Sequence, residues 1–417
     1  MTSAAARAIL EELKPGLTVY IPGASGEPTV LREVFASDPD RCAGVRFISC
    51  FVPGMNDFDY AALSPTTRVT TYMMPPAMHG SFEAGRIELV PLPYSEIAEH
   101  LATRAQIDVA FFHLAPPGAD GMASTGIASD FAGLVWPRAK RRIALVNPLM
   151  PVPPRSLRLP IGEADAVIEI ESRVVTGGGA PDTAEAGIIA DKAAALVRDG
   201  AAIQYGIGGA PAAVLSRLTD RKNLTLRSGM VIEAAQGLYE AGALKADPAV
   251  HITGMALGSD DFYRFLVESD LVAFADSRIT HGAASLSTVE NFTSINSALE
   301  IDLFGQANLE WRGERVVSGV GGAPDFVRAA RRSPGGRSII ALASTAGGGK
   351  IARIVPRLAS PTISIPRSDI DTVVTEFGVA ELADLSLDAR AEALIAIAHP
   401  DHRADLQDAW SKARAKF

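Results

Sequence analysis

Cysteine is nearly absent. The 417 residues contain two, Cys42 and Cys50, too few for a disulfide framework, so a reducing compartment and a cytoplasmic location are expected. Positive charge is also scarce: 39 Lys and Arg against 48 Asp and Glu give a net charge of −9, which argues against general nucleic-acid binding. The seven histidines are scattered, with no histidine–cysteine pairing at ligand spacing, so no metal site is expected. No uncharged apolar run reaches the roughly 18 residues that a membrane span needs. The opening "MTSAAARAILEELKPG" lacks a long apolar core and carries Glu11 and Glu12. It predicts a helix ended by Pro15 and Gly16 rather than a signal peptide.

What is present is an ordinary globular composition, 47% apolar and 21% charged, in a chain long enough for two or three domains. Short apolar runs are "DVAFFHLAPP" (108–117), "RRIALVNPLMP" (141–151), "AVIEI" (166–170), "AAIQYGIGG" (201–209) and "RSIIALAST" (337–345), the first, second and fourth of them ending in Pro or Gly. Helical patterns such as "AGIIADKAAALVRDG" (186–200) lie between several of them. That alternation predicts parallel strands with crossover helices, an α/β fold of the doubly wound class. Gly and Pro cluster in "TGGGAPDTAEAG" (176–187) and mark a boundary. On either side the chain repeats itself: "LKPGLTVYIPGASGEPTVL" (13–31) is similar to "VRDGAAIQYGIGGAPAAVL" (197–215). Two related domains with a cleft between them are therefore expected, and such clefts are favoured ligand sites.

"GIGGAP" (206–211) and "GVGGAP" (319–324) are nearly the same hexapeptide. Each is expected to lead into a helix, whose N-terminus would face a ligand held by the turn. Three ligands compete. A dinucleotide wants G-x-G-x-x-G, but Pro211 and Pro324 occupy the third glycine position; Arg227 keeps NADP in play. A nucleoside triphosphate wants G-x-x-x-x-G-K-[ST], and "STAGGGKI" (344–351) has Ser344 for the first Gly and Ile351 after Lys350. The third is an oxyanion or phosphate-bearing group on the backbone amides. A plain chain reversal is the bland alternative.

In "NSALEIDLFGQ" (296–306), Leu299, Ile301 and Leu303 alternate with Glu300 and Asp302, the pattern of a strand with an acidic second face. A lone glutamate on such a strand usually sits on a wetted surface. Glu300 follows the small residues Ser297 and Ala298, leaving room for a substrate, and Asn296 could orient a carbonyl.

Ordered motifs go further than periodicity. "DGAAIQYGIGGAP" (199–211), "ITGMALGSDDFYRFL" (252–266), "SINSALEIDLFGQANLEW" (294–311), "SGVGGAPDFVRAA" (318–330), "STAGGGKIARIVPRL" (344–358) and "VVTEFGVAELADLSLDARAEALIAIAHPDHR" (373–403) resemble the acetyl-CoA hydrolase/transferase family. That family belongs to the class I CoA-transferases and includes 4-hydroxybutyrate/acetate CoA-transferases. Softer matches are "GASGEP" (23–28), "GRIELVPLPYSEI" (85–97), "APPGADGMAS" (115–124) and "IALVNPLMP" (143–151).

The resemblance implies two open-sheet α/β domains, 1–180 for the acyl side and 181–417 for the catalytic and CoA-binding side. It implies that Glu300 is the nucleophile, passing through an acyl-glutamyl anhydride and a glutamyl-CoA thioester in a ping-pong exchange. Oxyanion and CoA contacts are implied for Gly206, Ile207, Gly208, Gly209, Ala210, Ser318, Gly319, Gly321 and Gly322. Gly347 replaces a lysine often found in relatives, which leaves Lys350 either as the substitute contact or as a solvated side chain. Glu27, Asn296 and His281 are acyl-pocket candidates, with helix capping the alternative for Glu27. Arg328, Arg331 and Arg332, and "RAKRR" (138–142), are basic clusters that read first as solvated surface.

The implied substrates are an acyl-CoA and a small carboxylic acid, with no tightly bound cofactor, no nucleic-acid or membrane partner, and a homodimer or higher homo-oligomer. Transfer of CoA is the leading expectation and hydrolysis of acyl-CoA through the same glutamate the alternative. A CoA or nucleotide sensor without catalysis, and a dehydrogenase built on the glycine turns, stand further back.

Overall fold

The computed structural model describes residues 2–177 and 183–416. The expected boundary between 180 and 181 lies outside the described residues. The N-terminal part builds a seven-stranded sheet from β1 (Thr18–Tyr20), β2 (Arg46–Ser49), β3 (Arg68–Thr71), β4 (Ile87–Leu89), β5 (Val109–Leu114), β6 (Arg141–Val146) and β7 (Ala166–Glu169). The spatial order is β4-β3-β2-β1-β5-β6-β7, and every pairing is parallel. β5, "VAFFHL", is buried along its whole length, as a central parallel strand covered on both faces must be.

A second sheet follows from β8 (Ala202–Tyr205), β9 (Thr225–Leu226), β10 (Phe292–Asn296), a short β11 (Glu300–Asp302) that stands apart from it, β12 (Arg337–Ala341), β13 (Thr372–Thr375) and β14 (Gly378–Glu381). Its order is β9-β8-β10-β12-β13-β14, parallel except for the β13–β14 hairpin. In both sheets the first strand lies inside, so the winding reverses beside it. The crevice at the carboxyl ends of the strands flanking such a switch point is where open α/β sheets bind ligands.

Seven helices matter for the site: α1 (Tyr94–Glu99), α2 (Ala184–Ala194), α3 (Gly209–Ser216), α4 (Ser277–Thr280), α5 (Ala323–Arg332), α6 (Leu387–Ala396) and α7 (Pro400–Arg414). α2 begins on a Thr183 cap, its hydroxyl accepting from the Ala186 amide at 3.2 Å. The repeated segments are equivalent in place: Gly16 and Gly200 both take positive φ, and the first strand of each sheet starts two residues later.

The two parts share their cores. Met230 and Met255 pack among Tyr20, Phe112, Phe131 and Trp136. Ala115, Ile127 and Met150 join the core of Ile203, Val214 and Ile295. α6 and α7 close the far side, with Leu394, Leu406 and Trp410 against Ile301 and Ile340. Among the described residues no helix is long and apolar enough to cross a membrane.

Candidate active site

A cavity of about 320 Å³ opens at the carboxyl ends of β8 and β10, the switch point of the second sheet. Strand ends supply Gln204, Tyr205 and Asn296, the turn after β8 supplies 206–208, and the chain leaving β10 supplies 297–299. Loop 318–322, before α5, forms another wall, and Val52, Met73 and Tyr94 come from the N-terminal part. The two glycine turns meet at this cleft, and both enter helices, α3 and α5.

The polar floor is Gln204 and Asn296. Asn296 donates from Nδ2 to Gln204 Oε1 at 2.9 Å and to Ser294 Oγ at 2.8 Å, and Gln204 Nε2 donates to Asn296 Oδ1 at 3.3 Å. A Cβ at Gly206 would lie 2.5 Å from that Oδ1, so glycine lets the turn descend onto the amide. Loop 318–322 is seated just as tightly. A Cβ at Gly319 would meet the Tyr72 carbonyl oxygen at 2.1 Å, and the Tyr94 amide donates to the Gly321 oxygen at 3.1 Å. Close packing against other parts of the chain thus accounts for these glycines.

The ionisable groups are few. Among the lining residues Arg353 is the one charged side chain, and none carries a carboxylate. Arg353 donates Nε to the Leu299 oxygen at 2.9 Å and Nη2 to the Ala298 oxygen, so it braces the segment leaving β10. Burial lowers its pKa, opposed by the charges of Glu376 and Glu300. His281 is buried, and burial lowers its pKa to about 3, which keeps the ring neutral.

Of the residues expected from sequence, Gly206, Ile207, Gly208, Asn296, His281, Ser318, Gly319, Gly321 and Gly322 meet at this cleft. Gly209 lines a larger neighbouring cavity of about 750 Å³, which shares Gly206, Ile207, Gly208 and Met230 with the cleft and also holds Arg217 and Glu233. Ala210 lines neither. Gly347 and the exposed Lys350 lie on a turn outside both.

Glu300 stands on β11 but is not among the lining residues, which end at Leu299 in that segment. β11 pairs with 307–308, and the Glu300 carboxylate accepts from Asn308 Nδ2 at 3.3 Å. Asp302 faces no solvent. It is fully buried and accepts from the Phe304 amide, the Gln306 amide and side chain, and the Leu358 amide, fixing the turn at Gly305. Asp302 is therefore not wet, whereas Glu300 is half-buried and stands next to the lining residue Leu299.

Glu27 is corrected too. It lies outside the cleft, buried, with Arg32 paired at 2.6 Å and with Tyr60 Oη and Asn56 Nδ2 donating at 2.6 Å each. It neither lines an acyl pocket nor caps a helix. The basic clusters are engaged as well: Arg328 pairs with Asp369, Arg331 with Asp371 and Asp384, Lys140 with Asp108 and Arg141 with Glu12.

Sequence reading missed Gln204, Gly229, Tyr94, Phe326 and Arg353. Gln204 did carry a signal, being a polar residue inside an apolar parallel strand, where burial demands a partner. Arg353 carried none, since its role depends on a fold that returns 351–355 to β11.

The family model for the acetyl-CoA hydrolase/transferase C-terminal domain matches residues 258–410. The 4-hydroxybutyrate coenzyme A transferase of Clostridium kluyveri is 30% identical over 398 residues, 93% of this chain and 92% of that one. Among solved structures, RipA from Yersinia pestis superposes with a TM-score of 0.89 at 27% identity, over 98% of this chain and 99% of that one. The 4-hydroxybutyrate CoA-transferase from Porphyromonas gingivalis superposes with a TM-score of 0.80 at 27% identity, over 99% and 97%. The chain belongs to the acetyl-CoA hydrolase/transferase family and has the class I CoA-transferase fold.

Proposed function

We propose that the protein is an enzyme moving coenzyme A from an acyl-CoA to a small carboxylic acid, with the thioester in the cleft and the remainder of CoA in the larger cavity beyond turn 206–208. The observation that carries this reading is the meeting of turns 206–208 and 318–322 at a sheet switch point, in a chain whose full-length relative is named a coenzyme A transferase. Arg353 gives the cleft its attraction for an anionic acceptor.

In the exchange, a carboxylate oxygen attacks the thioester carbonyl carbon and the carbon–sulfur bond breaks, giving an anhydride and CoA thiolate. The thiolate attacks the other anhydride carbonyl, a carbon–oxygen bond breaks, and the first acid leaves as its carboxylate. If Glu300 supplied the first carboxylate, the intermediates would be the acyl-glutamyl anhydride and glutamyl-CoA. Glu300 supports that route by its place: it is half-buried, follows the lining residue Leu299, and its charge acts on the Arg353 guanidinium of the cleft.

The Glu300 carboxylate is the attacking group we favour, with direct attack by the acceptor's carboxylate the alternative. Glu300→Gln should lower exchange by several powers of ten, as loss of a covalent carrier does, and a borohydride-trapped Glu300 adduct should be seen by mass spectrometry. Exchange within about tenfold of the parent, with Glu300 recovered unmodified, would overturn the glutamyl route.

Hydrolysis is the second reading: a relative 28% identical over 221 residues is named an acetyl-CoA hydrolase, and water can take the acceptor's place. Purified protein incubated with acetyl-, butyryl- or 4-hydroxybutyryl-CoA, alone and with a panel of acids, separates the two. Growth of a new acyl-CoA by mass spectrometry supports transfer, and acceptor-independent CoA release supports hydrolysis. Binding without either outcome would leave a non-catalytic CoA-binding protein.

A further inference from the structure

His281 occupies a slot that the chain makes for it. It follows α4, whose Ser277 amide donates to the Asp130 oxygen at 2.7 Å. Tyr94 stacks on the imidazole at 4.5 Å between centroids, and Phe326 of α5 approaches at 4.5 Å with its ring tilted. Two glycines complete the slot. A Cβ at Gly229 would lie 2.7 Å from His281 Cε1, and one at Gly322 2.5 Å from Nε2. No side chain other than hydrogen fits at either position with the ring in place.

The slot also bears on which nitrogen carries the proton. Thr280 Oγ1 and His281 Nδ1 are 2.8 Å apart and either can be the donor, while the hydroxyl's other acceptor, the Asp276 oxygen, is 3.5 Å away. A hydroxyl that donates to Nδ1, its nearer acceptor, leaves the ring's own proton on Nε2, and this is the tautomer the proposal takes. Nε2 has no hydrogen-bond partner among the described residues, and the residue lines the cleft. A donor with its other nitrogen occupied, wedged between aromatic rings and opening on a reaction cleft, is arranged to act without moving.

We propose that His281 is a catalytic residue of the acyl-CoA reaction, its neutral imidazole donating from Nε2–H to the thioester carbonyl oxygen. The proposal rests on the acyl-CoA reading above. As the nucleophile adds to the carbonyl carbon, the C=O electron pair moves onto oxygen, and it returns when the carbon–sulfur bond breaks. The imidazole keeps its proton throughout and forms no bond to carbon. Burial suits this role and not that of a base: a ring held neutral at physiological pH is a weak proton acceptor yet a sound electrophile. Around the ring, Tyr94 alone titrates among the packed residues, and Arg353 is the charged group of the same cleft.

The test has two independent parts. Protein labelled with ¹⁵N-histidine, the His281 signals assigned by their loss in His281→Phe, reports the tautomer. A protonated Nε2 and bare Nδ1, unchanged between about pH 5 and 9, is expected; an imidazolium or an Nδ1–H tautomer in that range overturns the proposal. Kinetically, His281→Phe keeps an aromatic ring in the slot without the donor. It should fold with the parent's circular dichroism and lose about 10²–10³ in kcat with KM little changed, the loss typical of one oxyanion donor.

His281→Gln, whose amide can donate from nearly the same place, should recover part of that loss. A Phe variant as fast as the parent, or a loss confined to KM, assigns the ring to packing and overturns the proposal. If the parent turns over no thioester, the functional reading fails, and the tautomer measurement still decides whether a donor faces the cleft.

Discussion

Single residues show most clearly where sequence and structure part. Glu27 read as an acyl-pocket candidate or a helix cap, yet it is the buried anchor of Arg32, Tyr60 and Asn56. Glu27→Ala would strand a half-buried guanidinium and two donors, and should destabilise by about 3–5 kcal/mol in urea denaturation. A loss under about 1 kcal/mol would contradict this anchoring.

Asp130 offers a pH signature. Its Oδ1 is buried without a hydrogen-bond partner among the described residues, and burial raises the carboxyl from 3.8 to about 7. Between those values the folded protein keeps a proton that the unfolded chain has released, so stability falls as pH rises from about 4 to about 7. Asp130→Asn should match the parent near pH 4 and exceed it at pH 8 by on the order of 2–4 kcal/mol. Parallel stability curves for the two proteins would refute the burial of a charge there.

At the scale of elements, the periodic signals were legible. The runs at 108–117, 141–151, 166–170, 201–209 and 337–345 became β5, β6, β7, β8 and β12, each shorter than its run. Fully apolar runs separated by helices leave little choice but a parallel sheet. The glycine turns were found, but the reason for their glycines was not, because it lies in distant backbone. Gly319 is the sharpest case. Gly319→Ala would drive a methyl into the Tyr72 carbonyl and should cost about 3 kcal/mol or more, since backbone must shift on both sides. Unchanged denaturation would mean that loop 318–322 does not seat as described. β11 was read correctly as a strand with two acids, and its surroundings were not, since alternation marks a face without saying what covers it.

For the whole molecule, the α/β class was readable and the seam between the sheets was not. The seam depends on pairs such as Ser95 and Asp325, whose amide and hydroxyl contacts at 3.1 and 2.6 Å join residues 230 positions apart. Nothing in a local pattern records such a pair. It is through this seam that the N-terminal part contributes Val52, Met73 and Tyr94 to a cleft otherwise built by the C-terminal part.

Tyr94 belongs to both worlds. Its amide grips the oxygen of Gly321 across the seam, while its ring supports the imidazole of His281. Loosening one must loosen the other, so the seam is also a thermostat for the chemistry. On warming, local opening there precedes global melting, and turnover should fade several degrees before the circular-dichroism signal does, recovering fully on cooling.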